Sequence, residues 1–172
     1  LRSVVWGFAV AAVAAVLLTA NGAAAQKAQT GASGLPLPRF VSIKSSKVNI
    51  RVGPTLDHDI AWTFVKAGVP VEVTQEFDIW YRVRDSEGQE GWVQKTMLSG
   101  VRTALVSPWD TKGKVPMKDK AAGSVTMAML EPDALVTVAS CDGAWCRISV
   151  DGYRGYVEQA KLWGVYPNEK LD

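Results

Sequence analysis

The stretch from Val69 to Val93, VPVEVTQEFDIWYRVRDSEGQEGWV, returns as Ala134 to Val157, ALVTVASCDGAWCRISVDGYRGYV. Laid one over the other, Val71 meets Val136, Val73 meets Val138, Trp80 meets Trp145, Arg82 meets Arg147 and Val83 meets Ile148, all at an offset of 65. Gly91, Trp92 and Val93 then meet Gly155, Tyr156 and Val157 at an offset of 64. One residue has been lost in a turn between two strands, where chains absorb length changes readily. A constant offset over several matched positions marks a duplicated unit, so the fold has to be built twice.

Each copy reads as strands. Val69, Val71 and Val73 alternate with Pro70 and Glu72, the period of two that turns one face to a core and the other to water. Tyr81 and Val83 alternate with Trp80, Arg82 and Arg84 in the same way. In the second copy Asp142-Gly143 and Asp151-Gly152 supply the positive φ that tight hairpins need. Both copies are small antiparallel meanders.

The chain opens with LRSVVWGFAVAAVAAVLLTANGAAA, residues 1–25, with Arg2 as its only charge and an apolar run from Val4 to Leu18. This is the pattern of an export signal peptide, and Ala23 and Ala25 place the cut after Ala25. An uncleaved membrane anchor is the rival reading, because a span this long and apolar can cross a bilayer. Residues 26–39, rich in small and polar side chains and ending in Pro36 and Pro38, read as a flexible leader. Loss of Arg2 lowers the formal charge of +2 by one, a near balance that argues against nucleic acid as the partner. Lys112, Lys114, Lys118 and Lys120 cluster, but such a run is usually a solvated loop.

Four motifs then follow in a fixed order. VNIRVGP spans residues 48–54, GVPVEV residues 68–73, and WYRV with GWV residues 80–83 and 91–93. This order resembles the bacterial SH3-like domain, whose pattern is N-x-R-x-G-P, a hydrophobic strand, W-Y-x-V and G-W-V. The match covers most of Val41 to Leu98. In the second copy the opening motif has decayed to Val115-Pro116-Met117-Lys118, while WCRI and GYV survive. The tandem arrangement and a closing LWGVYP resemble exported two-domain members of that family. The resemblance implies an all-β chain of two small SH3-like barrels after a signal peptide: residues 1–25 signal, 26–39 leader, 40–100 and 101–166 the barrels, 167–172 a tail. Units of about 60 residues bury only ~60% of their unfolded surface and are marginal alone. With no long spacer between Leu98 and Val106, the barrels are expected to sit close together. Gly164-Val165-Tyr166-Pro167 is either a tie folding back between them or part of the tail.

Cys141 and Cys146 flank a hairpin turn in a chain with an export signal, which points to a structural disulfide. A metal site is not supported, because the spacing is not C-x-x-C and the only histidine, His58, belongs to the other copy. Cysteine peptidases often carry bacterial SH3-like domains as targeting modules, but their chemistry needs a thiolate paired with histidine. His58, in the polar loop Asp57-His58-Asp59, has no free thiol to activate. Glu72 and Glu76 are placed on a wet strand and its turn, where nothing raises a carboxyl into the range of a general acid. No phosphate loop or dinucleotide fingerprint is present. The expectation is therefore no enzyme, no cofactor and no metal.

Aromatic side chains carry the binding hypothesis. Trp80 and Trp145 share strand parity with Arg82 and Arg147, which places them on the outer face, away from Tyr81, Val83, Cys146 and Ile148. A ring beside a guanidinium makes a shelf for a peptide or a sugar. Trp92 and Tyr156 either line the same groove or join the core. Arg51, which matches the family's arginine, either holds its turn or meets a ligand. Two classes of function stay open. One is an exported envelope module, periplasmic or extracellular, that holds a cell-wall peptide, glycan or envelope protein in aromatic grooves, with the membrane touched only through an uncleaved signal. The other is a structural or interaction protein with covered grooves and an apolar contact patch.

Overall fold

A computed structural model describes residues 29–172, so the stretch read as an export signal, residues 1–25, lies outside the described residues. It begins with a small hairpin, β1 (Gln29–Thr30) and β2 (Pro36–Leu37). The first sheet holds β3 (Arg39–Ile43), β4 (Val48–Arg51), β5 (Ile60–Phe64), β6 (Pro70–Phe77), β7 (Trp80–Arg84), β8 (Glu90–Gln94) and β9 (Leu98–Ser99), in the order β5-β4-β8-β7-β6-β3-β9. The second holds β10 (Thr103–Val106), β11 (Val115–Lys118), β12 (Thr126–Leu130), β13 (Leu135–Asp142), β14 (Trp145–Val150), β15 (Tyr153–Glu158) and β16 (Leu162–Trp163). Its order, β12-β11-β15-β14-β13-β10-β16, repeats the first strand for strand, and β17 (Lys170–Leu171) adds to β13. The chain is thus all-β, two SH3-like barrels in tandem.

The repeat extends to irregularities. A bulge interrupts the β6–β7 ladder between Val73 and Gln75, and its counterpart lies between Val138 and Ser140. Another falls between Ile50 and Arg51, and again between Met117 and Lys118. Bulges bend a strand and strengthen its twist, so their repetition gives the two sheets the same curl. The decayed motif at residues 115–118 therefore builds the same strand as VNIR. Gly91 and Gly155 are kept for a shared reason: a Cβ at either would run into the residue packed on it, Ile50 or Met117.

Alternation places the apolar residues as expected. Ile50, Val71, Val73 and Val83 are fully buried in the first core, and Val136, Ile148, Cys146 and Val157 are buried in the second. Each such side chain contributes about 1.5–3 kcal/mol on leaving water. At the second β-hairpin tip, Asp151 (φ 48°) and Gly152 (φ 84°) both take the left-handed conformation of a tight two-residue turn.

Two expectations about the segments outside the barrels and one about β6 need correction. Residues 29–38 are not a loose leader. The Ser33 amide and hydroxyl donate to Glu76 at 2.7 and 2.6 Å, and Leu37 packs on the first core. Residues 170–171 are not a tail, because they form β17 against Cys141 and Asp142. Glu72 and Glu76 are not wet: their side chains are 4% and 2% exposed. Tyr166 covers Glu72 on the outer face of β6, whereas the bulge between Val73 and Gln75 shifts the alternation and turns Glu76 to the side of its partner Tyr81, which packs on the core.

The segment after β16 is the tie. Tyr166 donates its hydroxyl to Glu72 at 2.8 Å, and Phe40 packs against Trp163 and Tyr166 with ring centroids 5.1 and 4.8 Å apart. Thr103 adds a hydroxyl bond to the Gly68 carbonyl at 2.7 Å. The loop holding Tyr166 is itself fixed by Arg102, which grips Glu169 with two bonds of 2.9 Å.

Candidate functional site

The outer face of β4, β8 and β7 gathers the four candidates of the first barrel. Arg51 lies opposite Trp92, Trp92 opposite Arg82, and Trp80 opposite Gln94, all on one side of the sheet. Three of the four are engaged within the barrel. Arg51 donates to the His58 carbonyl at 2.6 Å and so holds the loop after β4. Arg82 pairs with Glu90 at 2.6 Å. Trp80 is 7% exposed, which corrects the expectation of an open shelf. Lys47, Leu56 and Met97 wall it in, and the hollow left above it is only ≈190 Å³. The sequence alternation gave its side of the strand correctly but could not show that a distant loop folds over that side.

The second barrel leaves the equivalent face open. Arg147 lies opposite Tyr156, and Trp145 opposite Glu158. Trp145 and Tyr156 are half-buried and Arg147 is exposed. They line a groove of ≈370 Å³ together with Ser140, Lys170 and Asp172. Lys118 occupies the place of Arg51, opposite Tyr156. Among the described residues Arg147 has no salt-bridge partner, unlike Arg82. A ring, a free guanidinium and a phenol on one wall suit a planar amide or a sugar face with an acceptor group.

The turn that presents Trp145 is rigidly built. Cys141 and Cys146 face each other across β13 and β14 and form a disulfide with Cα atoms 4.1 Å apart. Asp142 accepts the Ala144 and Trp145 amides at 2.8 and 2.7 Å, and these bonds hold its carboxyl below the ordinary range. At the matching corner of the first barrel Glu76 is also acidified. Burial pushes its carboxyl up, but the bonds from Ser33 and from Arg39, whose guanidinium lies 2.7 Å away, outweigh burial. Tyr166 moves the other way: burial first, then its bond to Glu72, drives the phenol far above its usual value.

His58 sits exposed in its loop, its Nδ1 2.8 Å from the Thr55 hydroxyl. Among the described residues no cluster of three or more His, Cys, Asp or Glu is placed to hold a metal, and no helix is long and apolar enough to cross a membrane. Sequence reasoning missed Tyr166 and Glu72 as a pair and missed Gln159, buried under the C-terminal loop with its Nε2 donating to the Tyr166 and Glu169 carbonyls. Only the aromatic pair in LWGVYP hinted at the first.

Two curled sheets of this strand order define a tandem SH3-like protein. The model of the bacterial SH3 domain matches residues 44–100 and 118–164, and the chain belongs to that family. The second match begins at Lys118, the last residue of the strand whose motif has decayed. No curated protein matches. Among solved structures the chain is similar to NlpC1 and NlpC2 from Trichomonas vaginalis, both at 15% identity over 73% of this chain, with TM-scores of 0.31 and 0.32. Those alignments cover 45% and 48% of the two proteins, so the chain spans about half their length.

Proposed function

We propose that this chain is an exported, non-catalytic recognition module of the bacterial cell envelope, and that the second barrel binds a cell-wall peptide or glycan. The observation that carries this reading is the open groove of Trp145, Arg147 and Tyr156, free on a face that the first barrel closes. The first barrel acts as a platform: Trp80 is walled in, Arg82 is paired, and Tyr166 is docked on Glu72. The family's character as a binding domain and the export signal in residues 1–25 support the same reading.

The test is co-sedimentation of residues 26–172 with purified peptidoglycan, beside Trp145→Ala and Trp80→Ala variants shown to be folded. Pelleting lost with Trp145→Ala and kept with Trp80→Ala is the expected result. Absence of pelleting, or pelleting equal in both variants, overturns wall recognition by this groove and leaves the interaction-protein reading, in which the open edges of β5 and β12 take part in assembly.

A further inference from the structure

The face that carries the aromatic groove does not end at Tyr156. Ser149 takes the next outward position after Arg147 on β14, and Arg154 the one before Tyr156 on β15. This second cross-strand pair therefore lies on the same side of the sheet, about 7 Å further along the strands. Pairing with β13 and β10 extends it to a row over four strands: Thr103, Thr137, Ser149 and Arg154. The row lines a cleft of ≈520 Å³ that the first barrel closes on one side with the turn at Ala67 and Gly68. The bond from the Thr103 hydroxyl to the Gly68 carbonyl holds that turn in place.

The first barrel shows the same row in use. Phe40, Glu72, Arg84 and Glu90 pair across the equivalent strands. Another part of the chain sits on them: Tyr166 packs on Phe40 and gives its hydroxyl to Glu72, which Arg84 also holds. In the second copy Thr103, Thr137 and Ser149 stand at the places of Phe40, Glu72 and Arg84. All three side chains are shorter, and a cleft stands where the first barrel receives a phenol.

The polarity of the row has also been reversed. The first row has two acids against one base, and its acceptor Glu72 suits a donating hydroxyl. The second row has no acid and ends in Arg154, which is exposed and has no salt-bridge partner among the described residues. A guanidinium fork beside two hydroxyl donors suits an acceptor that carries negative charge. Asp151, in the turn beyond Ser149, is the one acid on the walls. Its charge disfavours a polyanion, so the fit is to a single carboxylate.

We infer that this cleft is a carboxylate subsite, in which Arg154, Thr137 and Ser149 take one acidic group of a ligand whose remainder lies along Arg147 and Tyr156. The inference rests on the second barrel being a recognition module, and it selects an acidic peptide over a neutral glycan as the ligand. It also gives the docking of the barrels a role, because the turn at Gly68 supplies a wall that the second barrel lacks by itself.

The experiment is an NMR titration of residues 26–172 with the α-amide of N-acetyl-glutamate, and with the α-amide of N-acetyl-glutamine as the uncharged control. Saturable shifts at Gly68, Thr137, Ser149 and Arg154 with the glutamate probe alone are expected. Arg154→Gln removes the guanidinium, and Thr137→Glu puts back the acid that the first copy carries at this place. Both positions are exposed, so both variants should fold, and each should weaken the glutamate probe about fivefold or more. Absent or non-saturable shifts, equal shifts with the glutamine probe, or shifts unchanged in both variants overturn the subsite. The same variants in the peptidoglycan assay separate the two readings. Pelleting that needs Trp145 but ignores both variants removes the subsite and keeps the groove. Saturable glutamate binding that both variants weaken, without any pelleting, keeps the subsite and removes wall recognition.

Discussion

The same corner of the two barrels is sealed by different chemistry. In the first, the ends of β6 and β7 meet at Glu76 and Tyr81, and the N-terminal hairpin closes over them through Ser33 while Arg39 of β3 pairs with Glu76. In the second, the equivalent positions are Cys141 and Cys146, joined covalently and flanked by β17 from the opposite end of the chain. A sheet of short strands has a frayed end that must be held, and a buried carboxylate network or a disulfide can each do it. The difference teaches that duplication fixed the strand order while the local fastening stayed free to change. One corner should respond to acid and the other to reductant.

The largest expected effect breaks the covalent corner. Cys141→Ser with Cys146→Ser, or a reductant, should cost the second barrel about 2 kcal/mol by the chain-entropy account of so short a loop. Denaturant unfolding followed by tryptophan emission measures it, and a loss near zero would show that β17 alone suffices. The next effect separates the barrels: Tyr166→Phe removes the bond to buried Glu72 and should cost about 1 kcal/mol. It should also split one unfolding transition into two less coupled ones.

The Tyr166 shift sharpens the same contact. A phenol whose folded pKa is raised contributes stability that is full below the ordinary value of 10.0 and is lost as pH rises above it, because the unfolded chain ionises first. Ultraviolet titration should show one of the four tyrosines resisting ionisation until the protein unfolds, and the alkaline loss should flatten in Tyr166→Phe. A smaller effect with the opposite sign belongs to Glu76. Its folded pKa is depressed, so its contribution is present above the ordinary value of 4.5 and is lost as pH falls through the lower folded value. Glu76→Gln should weaken the acid dependence of the first barrel and leave the reductant response of the second unchanged. Acid sensitivity equal in both barrels would refute the assignment of separate fastenings.

How far the site was legible depends on which interaction sets each residue's surroundings. Parity along β7 and β14 put Trp80 and Trp145 on the outer face, and cross-strand pairing did bring them beside Arg82 and Arg147 on that side. It could not reveal that Leu56 and Lys47 wall one ring in while the other stays half-open, because those covers come from loops with no periodicity. Thr137, Ser149 and Arg154 are visible in the sequence, but nothing marks them as one cleft until strand pairing aligns them and Gly68 of the first barrel is seen to close it. Glu72 carried a similar trap: β alternation called its face wet, and a tyrosine 94 residues further on covers it.

By itself, the sequence determined the duplication, the strand alternation, the apolar residues of both cores and the disulfide. These follow from local periodicity and from cysteines already close along the chain. Only the tertiary structure decided how the barrels dock through Phe40, Trp163 and Tyr166, which terminal segment seals each corner, and which of two homologous faces stays open. The reason is physical: which side of a strand a residue occupies is set by its immediate neighbours, whereas its exposure is set by whatever distant segment gains most by covering it.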